Sequence, residues 1–422
     1  MSTFELQRLS NGLRVLTAPL GHAQSVTCFV MVAAGSRYET RDTSGIAHFT
    51  EHMVFKGTDR RPTARDIAAE VDAIGGEFNA FTSKEYTGYY VRCAAESRAV
   101  ALDVLADMLR HSKFDPEEID REKGVIIEEM NMYLDTPRDL VDNVYEEELF
   151  GDQPLGWMVL GHKDSVRAAE QETFLSYLNQ WYTPPRIVVG LGGKIDGDYM
   201  SQLEQLFGDL HGNGSEGPAA VTSVQADRPR IRLHTKESDQ AHLCLGVPSY
   251  PLGHPDRYSL QLCANVLGGG MSSRLFTEVR ERRGLAYYVF GTNYSYTDVG
   301  TLYSQAGVDL TRIDDAVATI RAELQKMADE QVPSDELEKA RSFAKGRFTL
   351  QTESPQGLLQ FGLRREVLEG GAVEPKEVLD GLDAVTVEDV QRVAQEVIGG
   401  NTFTLAVVGP FDDQERFEKL LA

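Results

Sequence analysis

The sequence predicts an α+β protein of two homologous domains, each a mixed, largely antiparallel β-sheet packed against helices. The chain has 422 residues, of which 41% are hydrophobic, and this is enough to bury more than one core. The same succession of strands, a helix, paired strands and long helices runs twice along it. Between the two runs lies HGNGSEGPAAVTSVQADRP, residues 211–229, whose Gly, Ser, Pro and Ala content is typical of a linker. We therefore predict domains at 1–212 and 229–422, joined by a linker at 213–228.

The first half begins with a hairpin, because Asn11-Gly12 is a strong turn signal between two short strand patterns. The other elements follow from an apolar period of two residues for strands and 3.6 residues for helices. They are strands near 4–9, 12–18 and 25–34, helices near 44–56 and 63–74, a strand pair near 77–93, four further helices and a strand near 186–193.

The second half repeats this order. Its predicted elements are strands near 230–234 and 240–248, a helix near 256–268, paired strands within 286–309 and helices near 312–328 and 334–353. Cys28 in SVTCFVMVAAGS aligns with Cys244 in QAHLCLGVPSY. In that register the polar residues His48, Glu51 and His52 fall opposite Leu260, Cys263 and Ala264. The second copy is thus predicted to have the same scaffold without the polar cluster.

Composition argues against several classes of partner. The formal net charge of −23 disfavours nucleic acid and anionic membrane surfaces.

The four cysteines, Cys28, Cys93, Cys244 and Cys263, occur singly in apolar segments, which indicates reduced core residues. The first residues carry charges where a signal peptide needs an apolar run, and no apolar stretch reaches roughly 18 residues. We therefore predict a cytoplasmic protein without membrane contact. The charge itself is explained either by solubility or by an acidic cavity that attracts basic or unfolded peptides.

The stretch GIAHFTEHMVFKGT contains two histidines, His48 and His52, one helical turn apart. They project from the same side of a helix, so that two imidazoles can bind one metal ion. Thr43 or Ser44 is the expected N-cap of this helix. Glu51 lies across the same turn and can act as a general base without binding the metal. Alone, this short pattern is also consistent with a solvated helix face.

A catalytic zinc site needs a third protein ligand, and two neutral imidazoles with one carboxylate suit this ion. The predicted helix in DPEEIDREKGVIIEEMNMYLDTP offers candidates, since Glu122, Ile126, Glu129 and Tyr133 form one stripe. Two carboxylates on one face flanked by apolar residues are costly to bury without a cation. Glu128 points about 100° away from Glu129 and is expected to face solvent.

HFTEH, followed after 76 intervening residues by Glu129, resembles the inverted H-x-x-E-H pattern of the pitrilysin family of zinc peptidases. This family includes the mitochondrial processing peptidases and insulin-degrading enzyme. GGEFNAFTSKEYTGYY resembles the edge-strand segment of the family, and REKGVIIEEMNMYLDTP resembles its third-ligand helix. VLGGGMSSRLFTEVRERRGLAYYV resembles the signature of its second domain, so the resemblance covers nearly the whole chain.

The resemblance implies one zinc ion per chain, bound by His48, His52 and Glu129. It implies that Glu51 is the catalytic base, and that Glu122 is a supporting carboxylate that orients a ligand.

The resemblance also implies roles in substrate binding. Asn79, Ala80 and Phe81 match the strand to which substrate adds as a further β-strand. Arg280 and Tyr287 match residues that the second domain of the family brings over the substrate, with Tyr287 donating to the oxyanion and Arg280 holding a carbonyl. The residue types alone also allow a turn role for Asn79, a solvated helix end for Arg280 and a strand-core position for Tyr287.

The length of the chain resembles that of half-size family members that act as dimers. Because the zinc motif and the Arg280/Tyr287 pair occur in one chain, we expect a homodimer that encloses a chamber for peptides or unfolded segments. The predicted function is that of a zinc metalloendopeptidase. The alternatives are a non-catalytic partner subunit, whose ligands are typically degraded, and a chain that is active only beside a different half-size partner.

Overall fold

The computed structural model describes residues 2–212, 216–222 and 226–421. Their contacts form two compact units. The first comprises residues 2–130, 158–212, 216–219 and 349–375, and the second comprises residues 131–157, 220–222, 226–348 and 376–421. Of the predicted linker at 213–228, residues 213–215 and 223–225 lie outside the described residues. Within the part described, no helix combines the length and the apolar character needed to span a bilayer.

The first unit contains a six-stranded sheet. Its strands are β1 Glu5–Arg8, β2 Arg14–Pro19, β3 Ser25–Val32, β4 Glu77–Thr82, β5 Thr87–Ala94 and β6 Ile187–Gly193. They lie in the order β1-β2-β6-β3-β5-β4. β2 and β6 are parallel, and the other neighbours are antiparallel. The hairpin predicted at Asn11-Gly12 is confirmed, and Gly12 has the positive φ of 86° that such a turn requires.

The second unit contains a five-stranded sheet that repeats the topology of five of the six strands of the first sheet. Its strands are β7 Arg230–Thr235, β8 Gln240–Ser249, β9 Ala286–Ser295, β10 Gly300–Asp309 and β11 Thr404–Gly409. The order β7-β11-β8-β10-β9 repeats β2-β6-β3-β5-β4, including the parallel pairing of the first two strands. Cys28 on β3 and Cys244 on β8 are both buried on the central strand. The predicted fold class and its internal duplication are confirmed.

Helices surround both sheets. They are α1 Ile46–Met53, α2 Ala64–Ala73, α3 Arg98–His111, α4 Pro116–Asp135, α5 Pro137–Phe150, α6 Lys163–Ala168, α7 Gln171–Trp181, α8 Tyr199–Phe207, α9 Arg257–Gly268, α10 Ile313–Asp329, α11 Ser334–Thr352, α12 Pro355–Glu369, α13 Pro375–Ala384, α14 Val387–Ala394 and α15 Gln414–Leu421. A π-helix spans Phe276–Arg282. Five helices, α3 to α7, occupy the interval between β5 and β6 for which the sequence predicted four. Helices α12 to α15 and strand β11 lie beyond the elements predicted from the sequence.

Each sheet is covered by a helix from the other half of the sequence. Leu358, Leu359 and Leu363 of α12 pack in the first unit against a core that includes Phe29 and Val188. Gly190 and Gly192 of β6 make room for this helix, since a Cβ at either position would meet leucine side chains of α12.

In the second unit the covering helix is α5. Leu140, Val141 and Tyr145 of this helix pack with Cys244 and Ala406. The two compact units therefore exchange one helix each relative to the predicted halves of the sequence.

Candidate active site

Helix α1 carries the H-x-x-E-H residues and buries its apolar side. Ile46, Phe49 and Met53 lie in the core. His48 is also buried, with 8% of its surface exposed, whereas Glu51 and His52 are partly exposed. Because the helix is anchored along one side, its two imidazoles are presented together on the other.

The N-terminus of α1 differs from the prediction. Gly45 occupies the N-cap position with a φ of 95°, and it has no side chain with which to cap the helix. Neither Thr43 nor Ser44 caps α1, so that prediction was wrong. The cap comes from Glu39, whose Oε2 accepts from the Gly45 amide at 2.7 Å and whose Oε1 accepts from the Ala47 amide at 2.8 Å.

The structure brings His48, His52 and Glu129 together, although Glu129 comes from the separate helix α4. One potential ligand atom from each of the three residues lies within 4.8 Å of the others. Glu129 Oε2 is 3.7 Å from His48 Nε2 and 3.6 Å from His52 Nε2. Ligand atoms placed 2.0–2.2 Å from a tetrahedral zinc ion are about 3.3–3.6 Å apart. The two His–Glu separations are close to that range, so the donor set fits a zinc ion.

The electrostatic environment favours the ligand form of His48. Burial, with the neighbouring His52, lowers the pKa of His48 to about 3, against the opposing effect of Glu122. His48 is therefore a neutral imidazole at neutral pH, which is the form that binds a metal ion.

Glu122 lies beneath His52, on the same stripe of α4 as Glu129. Its Oε1 is 2.8 Å from His52 Nδ1, and its Oε2 forms an ion pair with the Lys56 ammonium. Burial acts to raise the pKa of Glu122, but the hydrogen bonds from His52 and Lys56 outweigh it and lower the pKa. An ionised Glu122 accepts a hydrogen bond from the Nδ1–H group of His52, which leaves the unprotonated Nε2 free to bind a metal ion. Lys56 was not singled out from the sequence.

Glu51 is oriented by the edge strand of the sheet. Thr82, the last residue of β4, donates from Oγ1 to Glu51 Oε2 at 2.6 Å. Burial raises the pKa of Glu51, although this hydrogen bond acts to lower it. A carboxylate with a raised pKa is a better proton acceptor than an ordinary surface glutamate.

Thr82 was missed in the sequence analysis. Strand alternation places Thr82 on the same face of β4 as Phe78. Only the structure shows that this face meets the α1 region, since the Phe78 ring packs 5.5 Å from that of Phe55 just beyond α1.

Asn79, Ala80 and Phe81 all lie in β4, the last strand of the six-stranded sheet. Among the described residues β4 pairs only with β5, so the backbone groups on its outer side have no strand partner. Asn79 is exposed, and its Oδ1 accepts from the Ala80 amide at 2.8 Å. The ring of Phe81 points into the sheet core against Phe29. An exposed edge of this kind can accept an extended peptide as a further strand.

Arg280 and Tyr287 belong to the second unit. Tyr287 lies on β9, the edge strand that corresponds to β4, with 75% of its surface exposed, so it is not a strand-core residue. The Arg280 guanidinium lies 5.6 Å from the centre of the Tyr287 ring and 4.8 Å from that of Phe276. Such stacking holds the guanidinium beside an exposed phenol.

Among the residues of the second unit that the structure describes, α9 carries no counterpart of the ligand cluster. Leu260, Cys263 and Ala264 are all buried there.

Residues 14–163 match the sequence profile of the insulinase family, peptidase family M16, and residues 169–343 match that of the M16 inactive domain. An uncharacterized zinc protease of Bacillus subtilis is 36% identical over 95% of this chain and 97% of its own length. An uncharacterized zinc protease of Streptomyces coelicolor is 34% identical over 98% of this chain and 91% of its own length.

Solved structures share the fold. A protease from Helicobacter pylori superposes with a TM-score of 0.89 at 22% identity, covering 97% of this chain and all of that one. A Pseudomonas fluorescens protein described as a peptidase M16 inactive domain has the same TM-score at 18% identity, covering 97% of this chain and 98% of that one.

The duplicated fold and the two profile matches define the class as M16-type peptidases. The chain belongs to peptidase family M16, the insulinase family.

Proposed function

We propose that the chain is a zinc metalloendopeptidase that cleaves peptides or unfolded polypeptide segments. The observation that carries the proposal is the convergence of His48, His52 and Glu129, whose ligand atoms lie within 4.8 Å of one another, with Glu51 on the same helix as the two histidines. One zinc ion per chain would be held by these three residues. The two relatives are named as zinc proteases, which supports the choice of metal.

When bound, zinc supplies Lewis-acid polarisation of the scissile carbonyl and lowers the pKa of water to roughly 7. Glu51 accepts the proton of the attacking water and then delivers it to the leaving amine nitrogen. Thr82 holds Glu51 Oε2, so Oε1 is the oxygen that receives the proton. Extended substrate pairs with the outer edge of β4, where backbone hydrogen bonds position the scissile bond independently of side-chain identity.

Tyr287 is proposed to donate a hydrogen bond to the developing oxyanion, with Arg280 holding a substrate carbonyl. The exposure of the phenol and its contact with the guanidinium support these roles. Tyr287→Phe is expected to lower kcat by about 100-fold, the usual cost of losing one oxyanion donor, with a smaller change in KM. Steady-state kinetics on a quenched fluorescent peptide measure this. Tyr294→Phe, on the same strand, is the matched control, and equal kinetics for Tyr287→Phe and the wild type would remove Tyr287 from the mechanism.

Metal removal tests the function directly. Purified chain should cleave an unstructured peptide, lose that activity in excess 1,10-phenanthroline and regain it when the chelator is removed and one equivalent of zinc per chain is added. If the isolated chain binds one zinc ion but does not cleave the peptide, the result favours one of the two alternatives. These are a non-catalytic subunit and a chain that is active only with a different half-size partner.

The same preparation tests the proposed homodimer. The support for this assembly is the resemblance to half-size family members that act as dimers, and the chain covers 97% and 91% of the two relatives named above. Light scattering coupled to gel filtration should give twice the mass of 46.8 kDa, and a monomer with full activity would contradict a dimeric chamber.

A further inference from the structure

The first turn of α1 is held by one buried side chain from outside the helix. Glu39 has 6% of its surface exposed, and its two carboxylate oxygens accept separately from the amides of Gly45 and Ala47. A negative group at this end of a helix also interacts favourably with the helix dipole. Ala47 immediately precedes His48, so this contact acts one residue from the candidate metal ligands.

The local backbone explains why the cap comes from a distance. Gly45 has a positive φ, and a Cβ there would lie 2.5 Å from the Leu160 carbonyl oxygen. The N-cap residue must therefore be glycine, which offers no side chain to satisfy the free amides of the first turn. Glu39 provides this function, while Ser165 Oγ donates to the Ser44 carbonyl at 2.6 Å and anchors the residue before the helix.

The position of α1 sets the geometry of the whole donor set. His48 and His52 belong to α1, whereas Glu129 belongs to α4, so a slide or rotation of α1 changes both His–Glu distances together. Metal–ligand distances tolerate deviations of only about 0.2 Å, and α1 is just two turns long. Two hydrogen bonds to adjacent parts of one turn restrain both the slide and the rotation.

A cap that only stabilised the helix could be an exposed side chain next to the helix start, whereas Glu39 is buried. Burial raises the pKa of Glu39 to about 8, although the hydrogen bonds from Ala47 and Gly45 and the charge of Lys84 act to lower it. Both of its oxygens accept from backbone N–H groups, an arrangement that suits the ionised carboxylate, so keeping this group ionised where it is enclosed is costly. On α2, by contrast, the exposed pair Thr63 and Asp66 forms an ordinary capping box.

We infer that Glu39 is a positioning residue for the metal centre, which sets the axial and rotational position of α1 so that His48 and His52 meet Glu129 at ligand distance. The inference rests on the proposed zinc site. Glu39 touches neither metal nor substrate and acts through the backbone of α1.

The test is the zinc affinity of Glu39→Gln, measured by competition with a chromogenic chelator and independent of activity. The amide keeps one acceptor oxygen and turns its NH2 group toward a backbone N–H, so one of the two restraints is lost. We expect the zinc dissociation constant to rise by about 10-fold, as for other residues that orient metal ligands, and kcat to fall while KM changes little. The matched control is Asp66→Asn, which removes the same charge from a helix cap in the same unit and should leave zinc affinity unchanged.

Several outcomes overturn the inference. One is a Glu39→Gln variant that folds and binds zinc with wild-type affinity. Another is a loss of zinc affinity in Asp66→Asn equal to that in Glu39→Gln. Either result leaves Glu39 with a structural role only. If Glu39→Gln does not fold, the same titration on Glu39→Asp, whose shorter carboxylate reaches fewer amides, is judged by the same criterion. A wild-type chain that binds no zinc overturns the proposed function together with the inference, whereas normal zinc binding in wild type and variant alike overturns the inference alone.

Discussion

Glu51→Gln is expected to abolish peptide cleavage while zinc remains bound. The amide preserves the shape of the side chain and can still accept from Thr82 Oγ1, but it cannot take a proton from water. A positioned general base contributes about 10²–10⁴-fold to rate, so kcat should fall by at least about 100-fold. Metal analysis of the purified variant, alongside its kinetics, checks both parts of the prediction.

The matched control for Glu51→Gln is Glu172→Gln on the exposed side of α7, where the same loss of charge should leave kcat unchanged. Cleavage by Glu51→Gln at the wild-type rate would show that another group accepts the proton. Loss of zinc from the variant would instead show that Glu51 belongs to the ligand set.

The second large effect is expected from Glu129→Gln. Its Oε2 lies 3.6–3.7 Å from the Nε2 atoms of both histidines, and it is the one carboxylate in the candidate donor set. A neutral amide is a weaker ligand, so zinc affinity should fall by more than the roughly 10–100-fold typical of residues that only orient ligands. Activity at low free zinc should be lost as a result. Chelator competition measures the affinity, and excess zinc should restore part of the activity.

Glu128→Gln is the control for Glu129→Gln, because it neutralises the neighbouring glutamate on α4, which is exposed. Equal zinc affinity in wild type and Glu129→Gln would mean that the third ligand lies elsewhere. Glu122 is then the next residue to replace, since it already contacts His52.

The sequence predicted most of the scaffold because its signals are local. Apolar alternation and the Asn11-Gly12 turn predicted the hairpin and the central strands, and the spacing of His48 and His52 predicted their shared helix face. Glu129 could be matched to them only through resemblance, because it lies on a different helix and spacing along the chain does not show where α4 packs.

Other contacts left no sequence signal of comparable strength. Glu39 caps α1 from several residues upstream because the N-cap position is a glycine, whereas capping rules consider the residues next to the helix start. Lys56 and Thr82 are ordinary surface residue types whose partners, Glu122 and Glu51, become neighbours only after folding. The covering role of α12 was also unpredictable, since an apolar helix face does not indicate which sheet it covers.

Each sheet is covered by a helix from the other half of the sequence, α12 for the first sheet and α5 for the second, and this has a consequence for biosynthesis. The strands of the first sheet are complete once β6 has been translated, but Phe29, Val188 and their neighbours acquire their leucine cover only when α12 arrives near the C-terminal end. A nascent chain that has emerged from the ribosome as far as residue 212 therefore lacks the α12 leucines that cover this face of the sheet. The core of the first unit is therefore completed only after translation has passed residue 369.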